Sequence, residues 1–353
     1  MTLRAFYESQ HATVANDGIP LHFGDQAEEY RAALNNAVLM DRSHEGRFEL
    51  HGRDRLAIPH RISTNDLTSL KAGEGRPTLF TNANARILDR ATFYNLGSHA
   101  LALTEPGRGE ALLKYMQRNI FFNDEAQLKD LSATTRQFVL HGPQADAVGM
   151  RFAGDTFAQG LAPLRATTEQ IGSVEVLLMR DKPISGSHWR VIVANEAAEA
   201  VWTALLEAGK EVGLQPAGSL TYNLLRIRAG RPGVGRELSP DYIPLEVGLW
   251  DEVSFTKGCY TGQEIIARME SRGKLAKTIV HLKLAGAVEA PAKLLNAEGR
   301  DVGMLTSSVQ TPDGELIGIG VLRLASAETG AHVMVEDGTD AVIVGMAGAQ
   351  APA

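Results

Sequence analysis

One cysteine in a chain of 353 residues removes two ways of holding a fold together. An internal disulfide needs a second thiol, and a structural zinc site of the four-cysteine kind needs four. The chain must therefore be held by packed apolar cores, and at this length one core rarely serves, so two or three domains are expected. Hydrophobic residues at 44% and charged residues at 22% are ordinary globular usage and exclude global disorder. A formal charge of −7 argues against a nucleic-acid binder that works through a broad basic surface. No apolar run approaches the roughly 20 residues of a membrane span, so no membrane partner is expected. The start, Met1-Thr2-Leu3-Arg4-Ala5-Phe6-Tyr7, lacks the hydrophobic stretch of a secretory signal. A cytoplasmic location is the expectation.

The thiol lies in a constrained octapeptide, Lys257-Gly258-Cys259-Tyr260-Thr261-Gly262-Gln263-Glu264. Two glycines bracket it, and Ile265-Ile266-Ala267-Arg268-Met269-Glu270 follows. That run holds good helix formers and sets Ile265, Ile266 and Met269 on one face. The pattern predicts a tight loop that delivers Cys259 just before a helix begins. Unpaired N–H groups and the dipole at a helix start, with Lys257 nearby, favour thiolate over thiol. A lone cysteine is more often a small buried hydrophobe. Here the neighbours are Gly, Lys, Thr and Gln, so Cys259 is read as the reactive group and Lys257 as the cation that favours its charged form. Gly258 and Gly262 are read as the residues that let the loop turn tightly.

Short β-like runs alternate with amphipathic helical ones. Residues 26–39, rich in Ala, Glu and Leu, read as a helix. Residues 47–50 alternate like a strand, and Gly52-Arg53-Asp54 turns into a helix through His60. Leu79-Phe80-Thr81 and residues 87–96 read as a hairpin joined by the polar Asn82-Ala83-Asn84-Ala85. A helix over 109–117, strands over 137–141, 174–179 and 188–193, and a helix over 197–208 follow. This order lacks regular β-α-β spacing and predicts α+β lobes. From Lys277 onward, β-rich segments at 278–284, 302–306, 317–323 and 341–344 are separated by Asp-Gly and Glu-Gly turns, which predicts a small antiparallel barrel. Arg272-Gly273-Lys274 is the expected junction, giving domains over residues 1–275 and 276–353.

Other chemistry finds little support. The chain has no Gly-x-x-x-x-Gly-Lys-Ser/Thr phosphate loop and no His-Glu-x-x-His zinc pair. Gly230-Arg231-Pro232-Gly233-Val234-Gly235 is a poor nucleotide loop, because Pro232 interrupts it and no buried strand precedes it. No metal site is expected. His44, His51 and His60 are read as structural or surface groups, and Trp189, Trp202 and Trp250 as core aromatics, with Trp250 near enough to the cysteine loop to line a channel.

The octapeptide resembles the Lys-Gly-Cys-Tyr-x-Gly-Gln-Glu signature of the YgfZ-type folate-binding proteins, relatives of the glycine-cleavage T-protein (aminomethyltransferase). Further resemblance lies in Asp41-Arg42-Ser43-His44-Glu45-Gly46-Arg47 with Gly52-Arg53-Asp54-Arg55-Leu56, in Arg61-Ile62-Ser63-Thr64-Asn65-Asp66, and in Thr81 to Asp89. Arg226-Ile227-Arg228-Ala229-Gly230 and Pro244-Leu245-Glu246-Val247-Gly248-Leu249 extend it over nearly the whole chain. The resemblance implies two intertwined α+β lobes around a central channel, closed on one side by a C-terminal antiparallel β-barrel. It also implies tetrahydrofolate as ligand, and iron–sulfur assembly machinery or client enzymes as partners.

Two departures from the transferase branch matter. Where those relatives have two consecutive aspartates, this chain has Asp89 followed by Arg90. Where they have a glutamate that grips the pterin, Arg228 stands, and an arginine cannot accept the pterin's N–H donors. Asp89 either orients folate or stabilises a turn. Glu246 either substitutes as the pterin acceptor or pairs with a neighbouring arginine. Three classes follow: a folate-binding protein whose cysteine loop supports iron–sulfur cluster synthesis or repair, a tetrahydrofolate-dependent aminomethyl- or methyltransferase, and a binding module without chemistry. The cysteine signature favours the first, in which Gly258, Tyr260, Gly262, Gln263 and Glu264 shape the loop around Cys259.

Overall fold

The computed structural model describes residues 2–154, 161–273 and 275–349. The chain alternates between two units. The first is built from the chain up to Ile58, Leu67–Arg76 and Ala91–Leu225; the second from Pro59–Asp66, Pro77–Arg90 and the chain from Arg226 onward.

The first unit begins with α1 (Leu3–Ser9), the short pair β1 (Thr13–Val14) and β2 (Pro20–His22), α2 (Gln26–Asn35), β3 (Ala37–Asp41) and β4 (Glu45–His51). Next come α3 (Ala57–Ile62), β5 (Gly75–Thr81) and β6 (Ile87–Asn95), each of which runs from one unit into the other. Then follow β7 (Ala100–Pro106), α4 (Gly109–Arg118), β8 (Gln127–Asp130), β9 (Thr135–Gly142), α5 (Ala145–Ala153), β10 (Arg165–Ile171), β11 (Val174–Asp181), β12 (Ser187–Ala194), α6 (Ala198–Gly209), β13 (Leu214–Pro216) and α7 (Ser219–Arg228), whose end from Arg226 belongs to the second unit.

The helix expected over 26–39 ends at Asn35, and Ala37–Asp41 is a strand. All five of its residues are buried, because β3 lies between β9 and β13 inside a sheet ordered β10-β11-β12-β9-β3-β13. A strand covered on both faces is a continuous apolar run, which composition alone does not separate from a buried helix. The helix expected from Gly52 to His60 is likewise only Ala57–Ile62. Gly52 has φ +98°, and a Cβ there would meet the Glu125 carbonyl oxygen at 2.1 Å. Leu39, Phe138, Leu140, Trp189, Val191 and Trp202 pack together as the core on this sheet.

The first unit also buries charge. Arg190 reaches Glu45 at 2.5 Å and Asp181 at 2.6 Å. Arg42 and Gln137 donate to Glu45 at 2.9 and 2.6 Å, and Tyr94 donates to Asp181 at 2.9 Å. Charges out of water persist only when paired in this way.

The second unit contains α8 (Gln263–Arg272) and then β14 (Lys277–Leu284), β15 (Ala292–Leu295), β16 (Asp301–Gln310), β17 (Leu316–Arg323), β18 (His332–Val335) and β19 (Asp340–Met346). These strands close into a barrel ordered β14-β17-β16-β15-β18-β19, which leaves no open sheet edge. Alternation along β14 explains the closure. Val280, Leu282 and Leu284 point into the barrel core, while Ile279 packs outside with Leu245, Val247 and Leu249. On β17 the inward positions are Gly318 and Gly320, where a Cβ would meet the side chains of Leu305 and Leu282 at 2.6 and 2.8 Å. Small residues there make room for leucines opposite. The barrel and the α+β class are as the sequence predicts. Strands β15 and β18 carry no long apolar signal, and only the closed ring reveals them. Of the expected junction 272–274, Lys274 lies outside the described residues.

Candidate functional site: the cysteine loop

The loop belongs wholly to the second unit. Two short 3₁₀ turns, Pro244–Val247 and Trp250–Glu252, lead into it. Leu245, Val247, Leu249 and Val253 are buried in one core with Leu79, Ile87 and Ile279. From Phe255 to Cys259 the chain rises to the surface, and the Cys259 thiol is exposed.

Both ends of the exposed span are fastened. Upstream, the Ser254 N–H donates to the Thr64 carbonyl at 2.9 Å, and the Thr64 hydroxyl donates to the Glu252 carbonyl at 2.8 Å. The Lys257 ammonium donates to the carbonyl of Ser63 at 2.6 Å, to that of Asn65 at 3.2 Å, and to that of His60. Downstream, Tyr260 is buried, and the Thr81 hydroxyl donates to the Thr261 carbonyl at 2.6 Å. Gly262 then takes a left-handed turn, φ +86°, pressed against the backbone of Asn82 and Ala85. Helix α8 begins at Gln263 and drives Ile266 into the core, with Ile265 and Met269 packed beside it.

This geometry keeps the predicted loop-then-helix and changes the parts assigned within it. Gly262 is the glycine that the turn requires. A Cβ on it would meet the Asn82 carbonyl oxygen at 2.6 Å, whereas a Cβ on Gly258 would point into open space. Gly258 has no positive φ either, so the tight turn assigned to it is made by Gly262 alone. Lys257 spends all three of its N–H donors on backbone carbonyls. Burial, opposed by Asp66, pushes its pKa down to about 8, and its ammonium also lies 5.2 Å from the centre of the Tyr260 ring. Burial pushes the Tyr260 hydroxyl up to about 12. Gln263 is half-buried at the helix start, and Glu264 is exposed, 3.8 Å from Arg268.

The residues read as folate ligands lie in the same unit but in different settings. Asp89 is buried on β6 and accepts from the Arg90 N–H at 3.0 Å. Arg90 makes a two-pronged bond to Glu252 at 2.7 and 2.6 Å, tying β6 to the turn just ahead of the cysteine loop. Glu246 is buried, caps its own turn by accepting from the Ile243 N–H at 3.1 Å, and lies 3.5 Å from Arg86. Burial raises its pKa. This is the arginine pairing that was one of its two expected roles. Arg228 ends α7 and pairs with Glu315 at 2.8 Å, both largely exposed. The structure thus ties Arg90 to Glu252 just ahead of the loop, with Asp89 beside Arg90 on β6, and gives Arg228 a separate surface partner. Trp250 is half-buried against Phe255, ring centres 6.0 Å apart.

Two polar centres escape sequence reasoning. Glu252 carried no distinguishing signal. Glu237 is fully buried and accepts from the Gly233 N–H and from the hydroxyls of Thr306 and Ser307 at 2.9, 2.5 and 2.8 Å, with Arg226 at 3.5 Å. It bolts the 230–238 turn to β16. The segment that seats Lys257 was visible as Ser63-Thr64-Asn65-Asp66, but its contribution is made by backbone.

Comparison with known proteins fits this architecture. Residues 7–257 match the family described as the GCVT N-terminal domain, and residues 277–344 match the CAF17 C-terminal beta-barrel domain. A chloroplastic protein of Arabidopsis thaliana, whose name assigns it provisionally to the transferases, is 30% identical over 94% of this chain and 75% of its own. An aminomethyltransferase of Caldanaerobacter subterraneus subsp. tengcongensis is 25% identical over 93% of this chain and 88% of its own. The crystal structure of the glycine cleavage system aminomethyltransferase T from Bartonella henselae superposes with a TM-score of 0.84 at 22% identity, covering 97% of this chain and 96% of that one. With the first family spanning more than two thirds of its length and the second its barrel, the chain belongs to the GCVT family and carries a CAF17-type C-terminal β-barrel.

Proposed function

We propose that this protein is a YgfZ-type, tetrahydrofolate-binding member of the family that supports assembly or repair of iron–sulfur clusters in client enzymes through Cys259. The observation that carries the reading is the exposed thiol held between two fastened loop ends. A sulfur that is to meet a partner protein must stand clear of the surface in a reproducible place, and this loop provides both. Iron–sulfur clusters are normally held by about four thiolates. One thiol therefore acts in a complex, as one ligand or as a redox group, while the cluster is the client's.

The carboxylates that transfer would use also favour this reading over an aminomethyltransferase. At the second aspartate position the chain has Arg90, locked to Glu252. At the pterin-gripping position it has Arg228, paired with Glu315. Asp89 remains as the group that orients folate, whose pterin presents adjacent donors to an acceptor. A cytoplasmic site of action is part of the proposal, since client enzymes must be reached.

The deciding test is complementation in cells that lack this protein. The activity of an iron–sulfur enzyme is measured with wild type or Cys259→Ala, alongside titration calorimetry with tetrahydrofolate. Restoration by wild type and not by Cys259→Ala is expected, with saturable folate heat for both. Full restoration by Cys259→Ala would remove the thiol from the function. Absence of saturable heat at millimolar tetrahydrofolate would remove the folate.

A further inference from the structure

The carbonyls of His60, Ser63 and Asn65 converge on one point, and the Lys257 ammonium occupies it. All three come from the end of α3 and the turn after it. Carbonyls at a helix C-terminus lack intrahelical donors and carry the negative end of the helix dipole, so such a cluster attracts a cation. An ammonium offers three N–H donors in three directions, one for each oxygen. The Asp66 carboxylate adds attraction from beside the seat, and His60, paired with Asp66 at 3.1 Å, and the Tyr260 ring complete its surroundings.

What the seat holds in place is the loop. With Lys257 bound, the exposed stretch between fastened points is Gly258 and Cys259, since Tyr260 is buried and Thr261 accepts from Thr81. Without it, the nearest upstream tie to another segment is the Ser254 N–H on Thr64. The free span then grows to Phe255–Cys259, more than twice as long. Cys259 is two residues from the lysine and follows wherever that span goes.

We propose that Lys257 is a positioning residue: its ammonium fills a three-carbonyl cation seat and so fixes the upstream end of the span that carries Cys259. Its effect on the thiol comes through the backbone. The consequence for function rests on the reading of Cys259 as the reactive group, but the experiment below observes the loop alone, so the two fail separately.

The test is hydrogen–deuterium exchange of the full-length protein, wild type against Lys257→Ala, with chemical rescue. Truncation at Cβ removes three carbons and the nitrogen, which n-propylammonium supplies. Amides across 255–259 should exchange about tenfold faster in Lys257→Ala, the scale of losing hydrogen bonds to a charged donor, while the Ser254 amide stays protected. Barrel amides should be unchanged. n-Propylammonium should restore protection, and tetramethylammonium, a cation with no N–H, should not. Loop exchange within about twofold of wild type, or equal restoration by both cations, would overturn the proposal. If Lys257→Ala also loses barrel protection, Lys257→Met, which keeps most of the stem, decides by the loop amides alone. Their loss with the barrel intact supports the seat, and their retention refutes it.

Discussion

Arg90 and Glu252 bind each other through two parallel hydrogen bonds, 2.7 and 2.6 Å, with both side chains buried. The pair gives the buried arginine that follows Asp89 its counter-ion. A guanidinium there would be intolerable alone, and Glu252 neutralises it with the fork geometry that arginine favours. Breaking such a pair leaves an uncompensated buried charge. Glu252→Ala is therefore expected to lower unfolding free energy by about 3–5 kcal/mol, measured by urea denaturation. Replacing both, as Arg90→Met with Glu252→Leu, should recover most of that loss. A double variant no more stable than Glu252→Ala would contradict the pairing.

The two glycines of the loop should respond unequally. Gly262→Ala meets the Asn82 carbonyl oxygen and must also hold φ +86°, a combination expected to cost about 1–3 kcal/mol or more. Gly258→Ala meets nothing and should stay within about 0.5 kcal/mol of wild type. Thermal denaturation of both variants distinguishes them. Equal effects would show that the turn is not made where the backbone places it.

Lys257 sets a pH dependence whose sign follows from its environment. Burial holds its pKa at about 8 in the folded protein against an ordinary 10.5. Below pH 8 both states carry the proton, and the cost of burying the charge is fully present. Between about 8 and 10.5 the unfolded chain binds the proton that the folded one has released, so stability contributed by this group rises with pH. The difference in stability between wild type and Lys257→Met should therefore shift in favour of wild type across that window. A difference that is flat from pH 7 to 10.5 would mean that the ammonium is not buried at a cost.

Arg228 offers a direct probe of the folate reading. Its bond to Glu315 is exposed, and such pairs contribute about 0–1 kcal/mol, so Arg228→Glu should fold normally. If folate binds as proposed, restoring an acceptor at this position adds a hydrogen bond to a charged group. Such a bond contributes about 1.5–3 kcal/mol, so tetrahydrofolate should bind roughly tenfold tighter or more by calorimetry. Unchanged or weaker binding by Arg228→Glu would separate this position from the pterin. Neither wild type nor the variant should form methylene-tetrahydrofolate efficiently with glycine-cleavage components, because Arg90 still occupies the second carboxylate position. Robust turnover by wild type would favour the transferase reading.

What could be read from the sequence was what side chains announce locally. Short β-rich segments such as 278–284 and 317–323, separated by Asp-Gly and Glu-Gly turns, revealed the barrel, and the apolar face Ile265, Ile266 and Met269 after Gly262 revealed the helix behind the cysteine. The polar neighbours of Cys259 announced its exposure. What stayed hidden depends on distant or backbone partners. Glu252 is 162 residues from Arg90, and nothing near it in sequence marks it as a counter-ion. The Lys257 seat is made of carbonyl oxygens, which every residue type supplies, so Ser63 and Asn65 could be noticed as a motif without disclosing their role. Residues 37–39 read as helix because burial on both faces erases the period that separates strand from helix.

Cys259 is exposed, Gly258 before it has open space where a side chain would be, and Phe255 and Thr256 are also exposed, so iodoacetamide should reach the sulfur in the native protein. Reactivity follows thiolate content and access, and access here needs no unfolding. The alkylation rate at fixed pH should therefore be little changed by sub-denaturing urea, whereas a buried thiol would react faster as local opening increased. Cys259→Ala removes a side chain that packs against little, so its stability should match wild type within about 0.5 kcal/mol. Loss of complementation by that variant would then report chemistry rather than folding. A native protein that resists alkylation until urea unfolds it, together with a destabilised Cys259→Ala, would make the cysteine a structural residue and remove the basis for the proposed function.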